Sequence, residues 1–305
     1  MSAVSVQGLS RSFAGTVAVD SLTFDVERGQ LFGIVGPDGA GKTTTLRMLA
    51  GVLPPTAGDA VLLGVSVARE PERVKPHIAY MSQRFGLYQD LTVRENILFY
   101  ADLYDVPRGE LPARMERLYR FSRLGDFEDR LAGRLSGGMK QKLSLSCALI
   151  HQPAVLLLDE PTFGVDPISR RDLWLILHQM VADGMTVIVT TSYMDEAERC
   201  DVVAMLHEGR LLGLDSPRVI QDHIEGSLFA VRGPDPRALR DLLRHTSGVR
   251  HATLFGDVVH AVTGTDITAV SLERMLIDGG ASVDDVTSAR PSLEDAFIEF
   301  VHAPS

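Results

Sequence analysis

The sequence predicts an α/β fold with a central parallel sheet, an N-terminal antiparallel β-subdomain, an inserted helical subdomain and a small C-terminal α+β domain. Continuous apolar runs at 31–35, 154–158 and 186–189 are typical of parallel strands that are buried on both faces. The first thirty residues alternate apolar and polar side chains, which is typical of antiparallel strands with one buried face. Between residues 92 and 150 the apolar spacing is helical instead.

The chain changes character near Gly226, where a second domain is predicted. The order from there is strand, helix, hairpin, helix, strand and a final amphipathic helix, which is the order of a ferredoxin-like fold. The expected elements are a strand at 227–231, a helix at 236–244, hairpin strands at 249–254 and 258–262, a helix at 267–277, a strand at 282–286 and a helix at 292–301. We expect a nucleotide-binding domain over 1–220, with a helical subdomain at about 84–150, and an accessory domain over 226–305.

Composition limits the classes of function. The 305 residues include 40 Asp and Glu against 30 Lys and Arg, a formal net charge of −10, and two cysteines. An acidic chain is repelled by nucleic-acid phosphates, so we expect no nucleic-acid partner. Two cysteines cannot form a disulfide framework. The N-terminus lacks a basic segment followed by an apolar stretch, and no apolar run reaches the ~18 to 20 residues of a membrane span. We therefore expect a soluble chain, and a membrane part, if any, in another polypeptide.

A glycine-rich turn lies between the first apolar run and a helical stretch. It reads Gly36, Pro37, Asp38, Gly39, Ala40, Gly41, Lys42, Thr43 and Thr44. This spacing is that of a P-loop, in which backbone N–H groups and the following helix N-terminus surround phosphate oxygens. Lys42 is expected to reach the β- and γ-phosphates, and Thr43 to place its hydroxyl on Mg²⁺. The sequence therefore predicts a P-loop NTPase core.

Two carboxylates follow the second apolar run. Asp159 comes directly after the run, where it can hold a water on Mg²⁺, and Glu160 is the next residue. We expect Glu160 to orient or deprotonate the attacking water.

The stretch Leu-Ser-Gly-Gly-Met-Lys-Gln at 135–141, with the P-loop before it and Leu-Asp-Glu-Pro at 158–161 after it, resembles the ATP-binding cassette of ABC transporters. The resemblance covers roughly residues 4 to 220. Gly-Val-Asp-Pro at 164–167 and Arg-Pro-Ser-Leu-Glu-Asp-Ala-Phe at 290–297 resemble the ATPase subunits of ABC-2-type, drug-resistance-like exporters more narrowly.

The resemblance implies roles for residues around the bound nucleotide. Phe13 would stack on adenine, and Val19 would lie beside the nucleotide. Gln83 would contact Mg²⁺ and move together with the helical subdomain.

The resemblance also implies a site shared between two cassettes. Ser136, Gly137 and Gly138 would bind the γ-phosphate of ATP held by a second cassette, and Asp166 would bridge the two sites. A hydroxyl, two glycines and a helix N-terminus together form an anion site, which agrees with this role.

The sequence departs from the family pattern at two positions. Ser192 stands where the family has a switch histidine that contacts the γ-phosphate, and Asp38 stands where asparagine is usual. Loss of a hydrogen bond to a charged group costs about 1.5–3 kcal/mol, so we expect ATP to bind well and to be hydrolysed slowly. Alternatively, Ser192 or a water bound to it replaces the histidine adequately.

The resemblance implies an ATP-hydrolysing exporter subunit at the cytoplasmic face of the membrane, driven by cassette dimerisation. Its implied partners are an ABC-2-type membrane permease subunit and a second cassette, as a homodimer or as a heterodimer with a histidine-containing cassette. Two alternatives stay open: a non-catalytic regulatory partner that binds ATP, and a soluble ABC ATPase without a transport role.

We expect the permease to contact the start of the helical subdomain, at 84–88 and 91–104. The apolar side chains offered there are Phe85, Leu87, Tyr88, Phe99 and Tyr100. Alternatively, these side chains form the core of the subdomain.

Overall fold

A computed structural model describes residues 2–83 and 86–302 and divides the chain into two compact units, Met1–Ser216 and Pro217–Ser305. The division lies slightly before the 220–226 linker expected from the sequence. A helix that starts at Pro217 packs against the last helix of the chain and so belongs to the second unit. Within the described residues, no helix combines the length and the apolarity that crossing a bilayer requires.

The strands of the first unit are β1 (Ser2–Phe13), β2 (Thr16–Glu27), β3 (Leu31–Val35), β4 (Ala57–Leu62), β5 (Val65–Ser66), β6 (Ile78–Met81), β7 (Val155–Asp159), β8 (Thr186–Thr191), β9 (Val202–His207) and β10 (Arg210–Asp215). Its helices are α1 (Lys42–Leu49), α2 (Pro71–Val74), α3 (Val93–Leu103), α4 (Leu111–Ser122), α5 (Gly137–Leu149), α6 (Pro167–Ala182) and α7 (Met194–Ala197). Short 3₁₀ turns lie at Lys75–His77, Gly125–Phe127 and Ala132–Arg134.

The central sheet has the strand order β10-β9-β3-β8-β7-β6. Five neighbouring strands pair in parallel, in the order β9, β3, β8, β7 and β6. At the edge of the sheet, β10 pairs antiparallel with β9. Strands β3, β7 and β8 are buried along their whole length, which confirms the interpretation of the continuous apolar runs. The loops after β3, β6, β7 and β8 therefore all leave the same edge of the sheet.

The antiparallel β-subdomain has the order β2-β1-β4-β5. The alternation of the first thirty residues correctly predicts β1 and β2, whereas β4 and β5 complete the sheet without a prediction. The two sheets share one core, in which Phe24 of β2 stacks on Phe32 of β3 with 5.1 Å between ring centroids. This contact joins the β-subdomain to the strand that leads into the P-loop.

The helices α3, α4 and α5 form the inserted helical part, and both α3 and α4 contact α5. Thr92 caps α3 by accepting a hydrogen bond from the Glu95 backbone N–H, and the Glu95 side chain accepts one in return from the Thr92 N–H. Asn96 is fully buried and bonds the backbone of Tyr88, Leu91 and Thr92. The segment before α3 is thereby fixed on its first turn.

The second unit contains β11 (Ser227–Arg232), β12 (Val249–Phe255), β13 (Val258–Thr263), β14 (Asp285–Ser288), α8 (Pro217–Asp222), α9 (Pro236–Leu243), α10 (Ala269–Asp278) and α11 (Leu293–His302). Its sheet is antiparallel, with the order β12-β13-β11-β14, as in the ferredoxin-like fold that the sequence predicts. The strand expected at 282–286 in fact begins at Asp285, because Asp285 pairs with Arg232, where the partner strand β11 ends.

Candidate nucleotide site

The candidate site lies where the loops after β3, β6, β7 and β8 meet, at the carboxyl edge of the parallel sheet. This edge is where α/β proteins generally bind ligands. Each of the four loops contributes one predicted group: the P-loop after β3, Gln83 after β6, Asp159 and Glu160 at the end of β7, and Ser192 after β8. The fold therefore brings together residues that are far apart in the sequence.

The P-loop approaches neighbouring backbone so closely that Gly41 leaves no room for a side chain. A Cβ on Gly41 would lie 2.6 Å from the Ala18 carbonyl oxygen, and its φ of 102° is in the region that favours glycine. Helix α1 starts at the next residue, Lys42, whose side chain is 5% exposed. Lys42 Nζ donates to the carbonyl oxygens of Gly36 at 2.8 Å and Pro37 at 3.1 Å. The lysine is thus folded back across its own loop.

Lys42, Glu160 and Ser192 form a compact cluster. Lys42 Nζ lies 3.2 Å from Glu160 Oε1 and donates to Ser192 Oγ at 2.8 Å. The Ser192 hydroxyl donates to Glu160 Oε1 at 2.9 Å. Glu160 has a φ of 48°, an unfavourable backbone conformation for a residue with a side chain, and its N–H is held by Thr190 Oγ1 at 2.9 Å. The predicted base, the predicted phosphate ligand and the serine at the switch position therefore touch one another.

Asp159 is 1% exposed and fully engaged by hydroxyl groups. Its Oδ1 accepts from Thr43 Oγ1 and from Thr190 Oγ1, both at 2.9 Å, and its Oδ2 lies 3.4 Å from the Tyr80 hydroxyl. Burial and the nearby Asp159 carboxylate raise the pKa of Tyr80 above its ordinary value, so the phenol remains a protonated donor.

The oxygen donors near Thr43 fit a magnesium site of the kind that substrate phosphates complete. Thr43 and Asp159 supply one hydroxyl and one carboxylate side by side. The described residues contain no group of three or more His, Cys, Asp or Glu that could hold a metal unaided. Mg²⁺ is commonly held by one or two protein oxygens together with phosphates and waters, so this small donor set suits that cation.

Gln83, the third expected magnesium ligand, lines the same cleft as Thr43, but its side chain contacts Glu160. Its Nε2 donates to Glu160 Oε2 at 3.0 Å. Glu160 is therefore held on both carboxylate oxygens, by Gln83 on one and by Lys42 and Ser192 on the other. A shift of the loop after β6 would change the position of Glu160 directly.

A cleft of about 570 Å³ opens over the P-loop. Its lining consists of Phe13, Ala18, Asp38, Gly39, Ala40, Gly41, Lys42, Thr43, Thr44, Gln83, Glu160 and Phe163. Phe13 is 43% exposed, and the Arg11 guanidinium lies over one face of its ring, 4.6 Å from the ring centroid. Val19, which we expected beside the nucleotide, is fully buried, and its neighbour Ala18 lines the cleft. Phe163 also lines the cleft, although the sequence did not indicate it.

Ser136, Gly137, Gly138 and Asp166 are absent from this lining and occupy two helix starts. Ser136 caps α5 by accepting from the Met139 N–H at 3.3 Å. Gly138 has Ser169 against it, since a Cβ would lie 2.1 Å from Ser169 Oγ.

Asp166 caps α6 by accepting from the Ser169 N–H at 3.0 Å. The hydrogen bonds from Ser169, first its backbone N–H, hold the pKa of Asp166 below its ordinary value. The four residues thus lie together at the starts of α5 and α6.

The two departures from the family pattern touch each other. Ser192 Oγ lies 3.3 Å from Asp38 Oδ1, although the residues are 154 positions apart. An ionised carboxylate only accepts hydrogen bonds, and Ser192 has a single hydroxyl hydrogen. The closer Glu160 oxygen, at 2.9 Å, is the better acceptor, so Asp38 has at most a shared bond to Ser192.

These features, a P-loop before a helix, a buried aspartate beside its threonine and a glutamate at the same sheet edge, define a P-loop nucleotide-binding fold. The chain matches the family model described as ABC transporter over residues 19–163. Nod factor export ATP-binding protein I of Rhizobium sp. (strain N33) is 36% identical over 97% of this chain and 96% of its own length. Probable multidrug ABC transporter ATP-binding protein YbhF of Escherichia coli (strain K12) is 40% identical over 98% of this chain. The chain spans 52% of the length of that relative.

Solved structures agree with these relatives. A structure of the ATP binding subunit of an ABC transporter is 30% identical, with a TM-score of 0.65 over 72% of this chain and 92% of the other. The structure of cbiO1 from Clostridium perfringens, described as part of the ABC transporter complex cbiONQ, is 25% identical, with a TM-score of 0.67 over 73% and 91%. The chain belongs to the ABC transporter family, and the residues that match the family model, 19–163, lie in its first unit.

Proposed function

We propose that this chain is the ATP-hydrolysing subunit of an ABC-2-type exporter, bound through a separate membrane permease to the cytoplasmic face of the membrane. The names of the relatives in Rhizobium and E. coli, which refer to Nod factor export and multidrug transport, support export. The observation that carries the proposal is the contact of Lys42, Glu160 and Ser192 at one sheet edge, because it joins a phosphate ligand to a base.

The residues of the cleft divide the work of binding and hydrolysis. The P-loop amides and Lys42 hold the phosphates, and Phe13 provides a face for the adenine ring. Mg²⁺ would be held by Thr43, Gln83 and Asp159, and it supplies positive charge to the phosphates. Glu160 orients the attacking water and accepts its proton at a carboxylate oxygen. This role requires Glu160 to leave the 3.2 Å contact with Lys42.

Dimerisation of two cassettes accounts for the residues that lie outside the cleft. Ser136 and Gly137 are exposed at the N-terminus of α5, whose free N–H groups favour an anion. We propose that they bind the γ-phosphate of ATP in a second cassette. Asp166, at the start of the adjacent α6, would bridge the two sites. Hydrolysis would then separate the cassettes and drive the permease.

A surface before and along α3 fits contact with the permease. Tyr88 and Phe99 are 48% and 38% exposed, and their rings pack edge to face with centroids 4.5 Å apart. Tyr100 donates to the Gly86 carbonyl oxygen at 3.0 Å, and Leu87 is half-buried. Phe85 lies outside the described residues. The exposed rings support a docking role, whereas Leu87 and Tyr100 also contribute to the local structure.

Ser192 favours one second candidate, a regulatory cassette that binds ATP without hydrolysing it. Serine is shorter than the switch histidine and uncharged, so it gives less stabilisation to the γ-phosphate in the transition state. The intact Lys42, Asp159 and Glu160 favour the catalytic role. The two candidates differ in one measurement, single-turnover hydrolysis by the chain without a partner.

The test is to purify the chain and measure three properties with MgATP: affinity, single-turnover hydrolysis, and ATP-dependent dimerisation in the Glu160→Gln variant. The proposal requires all three, together with co-purification of an ABC-2-type permease from membranes. ATP binding without hydrolysis, even in the presence of a permease, would establish the regulatory candidate instead. Failure to bind MgATP would reject both.

A further inference from the structure

Glu196 is a buried carboxylate that the proposed reaction does not use. It lies in the short helix α7, four residues after Ser192, and is 1% exposed. Taking a carboxylate out of water is costly unless its charge is paired and its oxygens are hydrogen-bonded. The partners that compensate Glu196 lie on the segments that carry the site.

One carboxylate oxygen of Glu196 joins the loop after β7 to the end of β8. Glu196 Oε2 accepts from Thr162 Oγ1 and from Thr191 Oγ1, both at 2.8 Å. Thr162 comes two residues after Glu160, and Thr191 directly precedes Ser192. Both threonines are 1% exposed, so water does not compete for these bonds.

The other oxygen faces α6. Glu196 Oε1 lies 3.3 Å from Arg170 Nε, which is an ion-pair distance. The two atoms do not form a hydrogen bond with each other. The Arg170 guanidinium also stacks over the Tyr193 ring, 4.5 Å from its centroid. The backbone N–H of Arg170 donates to the Asp166 carbonyl oxygen at 2.9 Å in the ordinary helical pattern, so Arg170 lies on the first turn of α6, after Asp166. The Arg170 side chain therefore joins the first turn of α6 to Glu196 and to Tyr193, the residue after Ser192.

We infer that Glu196 is a positioning residue that holds three segments in one rigid body: the Ser192 turn, the loop after Glu160 and the Asp166 end of α6. Through this rigid body, nucleotide bound at one site changes the geometry of the other site. This inference rests on the proposed function, because Asp166 bridges two sites only in a dimer of cassettes. Coupling of this kind needs a contiguous element that both sites act on, and the Thr162–Glu196–Arg170 contacts provide it.

The variants that test the inference are Glu196→Gln and Arg170→Met, with Arg171→Met as the matched control. Glutamine keeps an acceptor for the two threonines but removes the charge that faces Arg170. Arg171 is the exposed neighbour on the same helix, so its substitution makes the same change in charge and length outside the cluster. Each variant is compared with the parent by circular dichroism and thermal unfolding.

With MgATP, we expect kcat to fall about tenfold in Glu196→Gln and Arg170→Met, with KM unchanged and the Hill coefficient for ATP falling to one. A loss of folding alone would lower the amount of active protein without changing the Hill coefficient. Parent values of kcat and Hill coefficient in both variants would overturn the inference. The Arg171→Met control should match the parent.

Hydrogen exchange of the nucleotide-free chain tests the same inference without hydrolysis. Both variants should lose protection together at 161–166 and 190–195, whereas Arg171→Met should keep it. Unchanged protection, or loss in only one segment, would overturn the rigid-body inference. A parent chain that does not hydrolyse ATP would reject the catalytic proposal, and the exchange result would still decide the role of Glu196.

Discussion

Lys42 Nζ lies 3.2 Å from Glu160 Oε1, and the Ser192 hydroxyl contacts both groups. The positive charge of Lys42, the proposed phosphate ligand, is therefore paired with the carboxylate of Glu160, the proposed general base. In the function that we propose, an incoming γ-phosphate would compete with Glu160 for Lys42, and the displaced carboxylate would become available to a water. In that function, binding of ATP and release of the Glu160 carboxylate from Lys42 would be parts of one exchange.

The substitution Ser192→His should raise hydrolysis by the isolated chain about tenfold, because an imidazole can reach the γ-phosphate and stabilise its developing charge. Phosphate release under single-turnover conditions measures this rate. Ser192→Ala serves as the comparison, since it removes the hydroxyl without adding a donor. A rate for Ser192→His equal to that of the parent would show that this position does not limit hydrolysis.

The substitution Glu160→Gln should abolish hydrolysis and leave ATP binding intact. Glutamine keeps the shape of the side chain but cannot accept the proton of the attacking water. ATP should bind at least as tightly as to the parent, because Lys42 loses the carboxylate that competes with phosphate. Equilibrium binding of a fluorescent ATP analogue and a phosphate assay give the two numbers. Hydrolysis at the parent rate would mean that another group is the base.

The substitution Asp38→Asn should tighten ATP binding several-fold, with a smaller effect at high salt. It removes a negative charge beside the phosphates and adds an amide donor that can reach Ser192. Isothermal titration at two ionic strengths measures the change. Asp25→Asn, an exposed aspartate on β2, is the matched control and should leave the affinity unchanged. Equal affinities for Asp38→Asn and the parent at low salt would contradict the argument.

The substitutions Leu87→Asp and Tyr88→Asp should abolish transport by the assembled exporter and leave ATP binding unchanged. A charge on the surface before α3 disrupts an apolar contact with the permease, whereas the nucleotide cleft is untouched. Transport into membrane vesicles and nucleotide titration separate the two effects. Val270→Asp, at an exposed apolar residue of the second unit, is the control. Loss of ATP binding would show that Leu87 and Tyr88 belong to the subdomain core.

The substitution Asp295→Asn should lower the free energy of local unfolding of α11, in the second unit, by about 2 kcal/mol. Asp295 bonds the Ser292 N–H at 2.9 Å, and its two oxygens lie 3.0 and 3.1 Å from His260 Nδ1. Hydrogen exchange at 293–302 in the full chain measures the loss. Asp241→Asn, in an exposed pair with Arg240, should leave this exchange unchanged.

The contribution of Asp295 depends on pH with a definite sign. Burial alone would raise the pKa of Asp295, but the hydrogen bonds from His260 and Ser292 outweigh it and hold the pKa below its ordinary value. A carboxyl group of this kind stabilises the fold above its unfolded pKa of about 4, and the stabilisation disappears as the pH falls through the folded pKa. Parent and Asp295→Asn should therefore converge in stability at low pH, and a constant difference would contradict the assignment.

The sequence predicts the buried strands and the start of α1 better than the contacts between side chains. The continuous apolar runs and the glycine-rich turn correctly predict β3, β7, β8 and the start of α1. β4 escapes prediction because Gly58 and Asp59 interrupt the alternation of a short strand. Ala18 rather than Val19 lines the cleft because neighbouring residues of a strand face opposite sides of the sheet.

The contact between Asp38 and Ser192 depends on tertiary structure alone. Nothing local indicates that the loop after β3 and the turn after β8 place these side chains 3.3 Å apart. Phe163 is likewise a matter of loop geometry, although its position three residues after Glu160 offers a signal. The motif at 290–297 acquires a physical meaning only in the structure, where Ser292 and Asp295 cap α11 and Asp295 binds His260.

The left-handed backbone of Glu160 has a consequence for how this cassette tolerates change. Asparagine or glycine at position 160 would relieve the unfavourable φ of 48°, but neither can act as the base that we propose for this position. If Glu160 has the proposed role, selection for thermal stability alone would therefore favour chains that have lost hydrolysis. An engineering programme that seeks a more robust cassette should keep this position fixed and look for gains elsewhere.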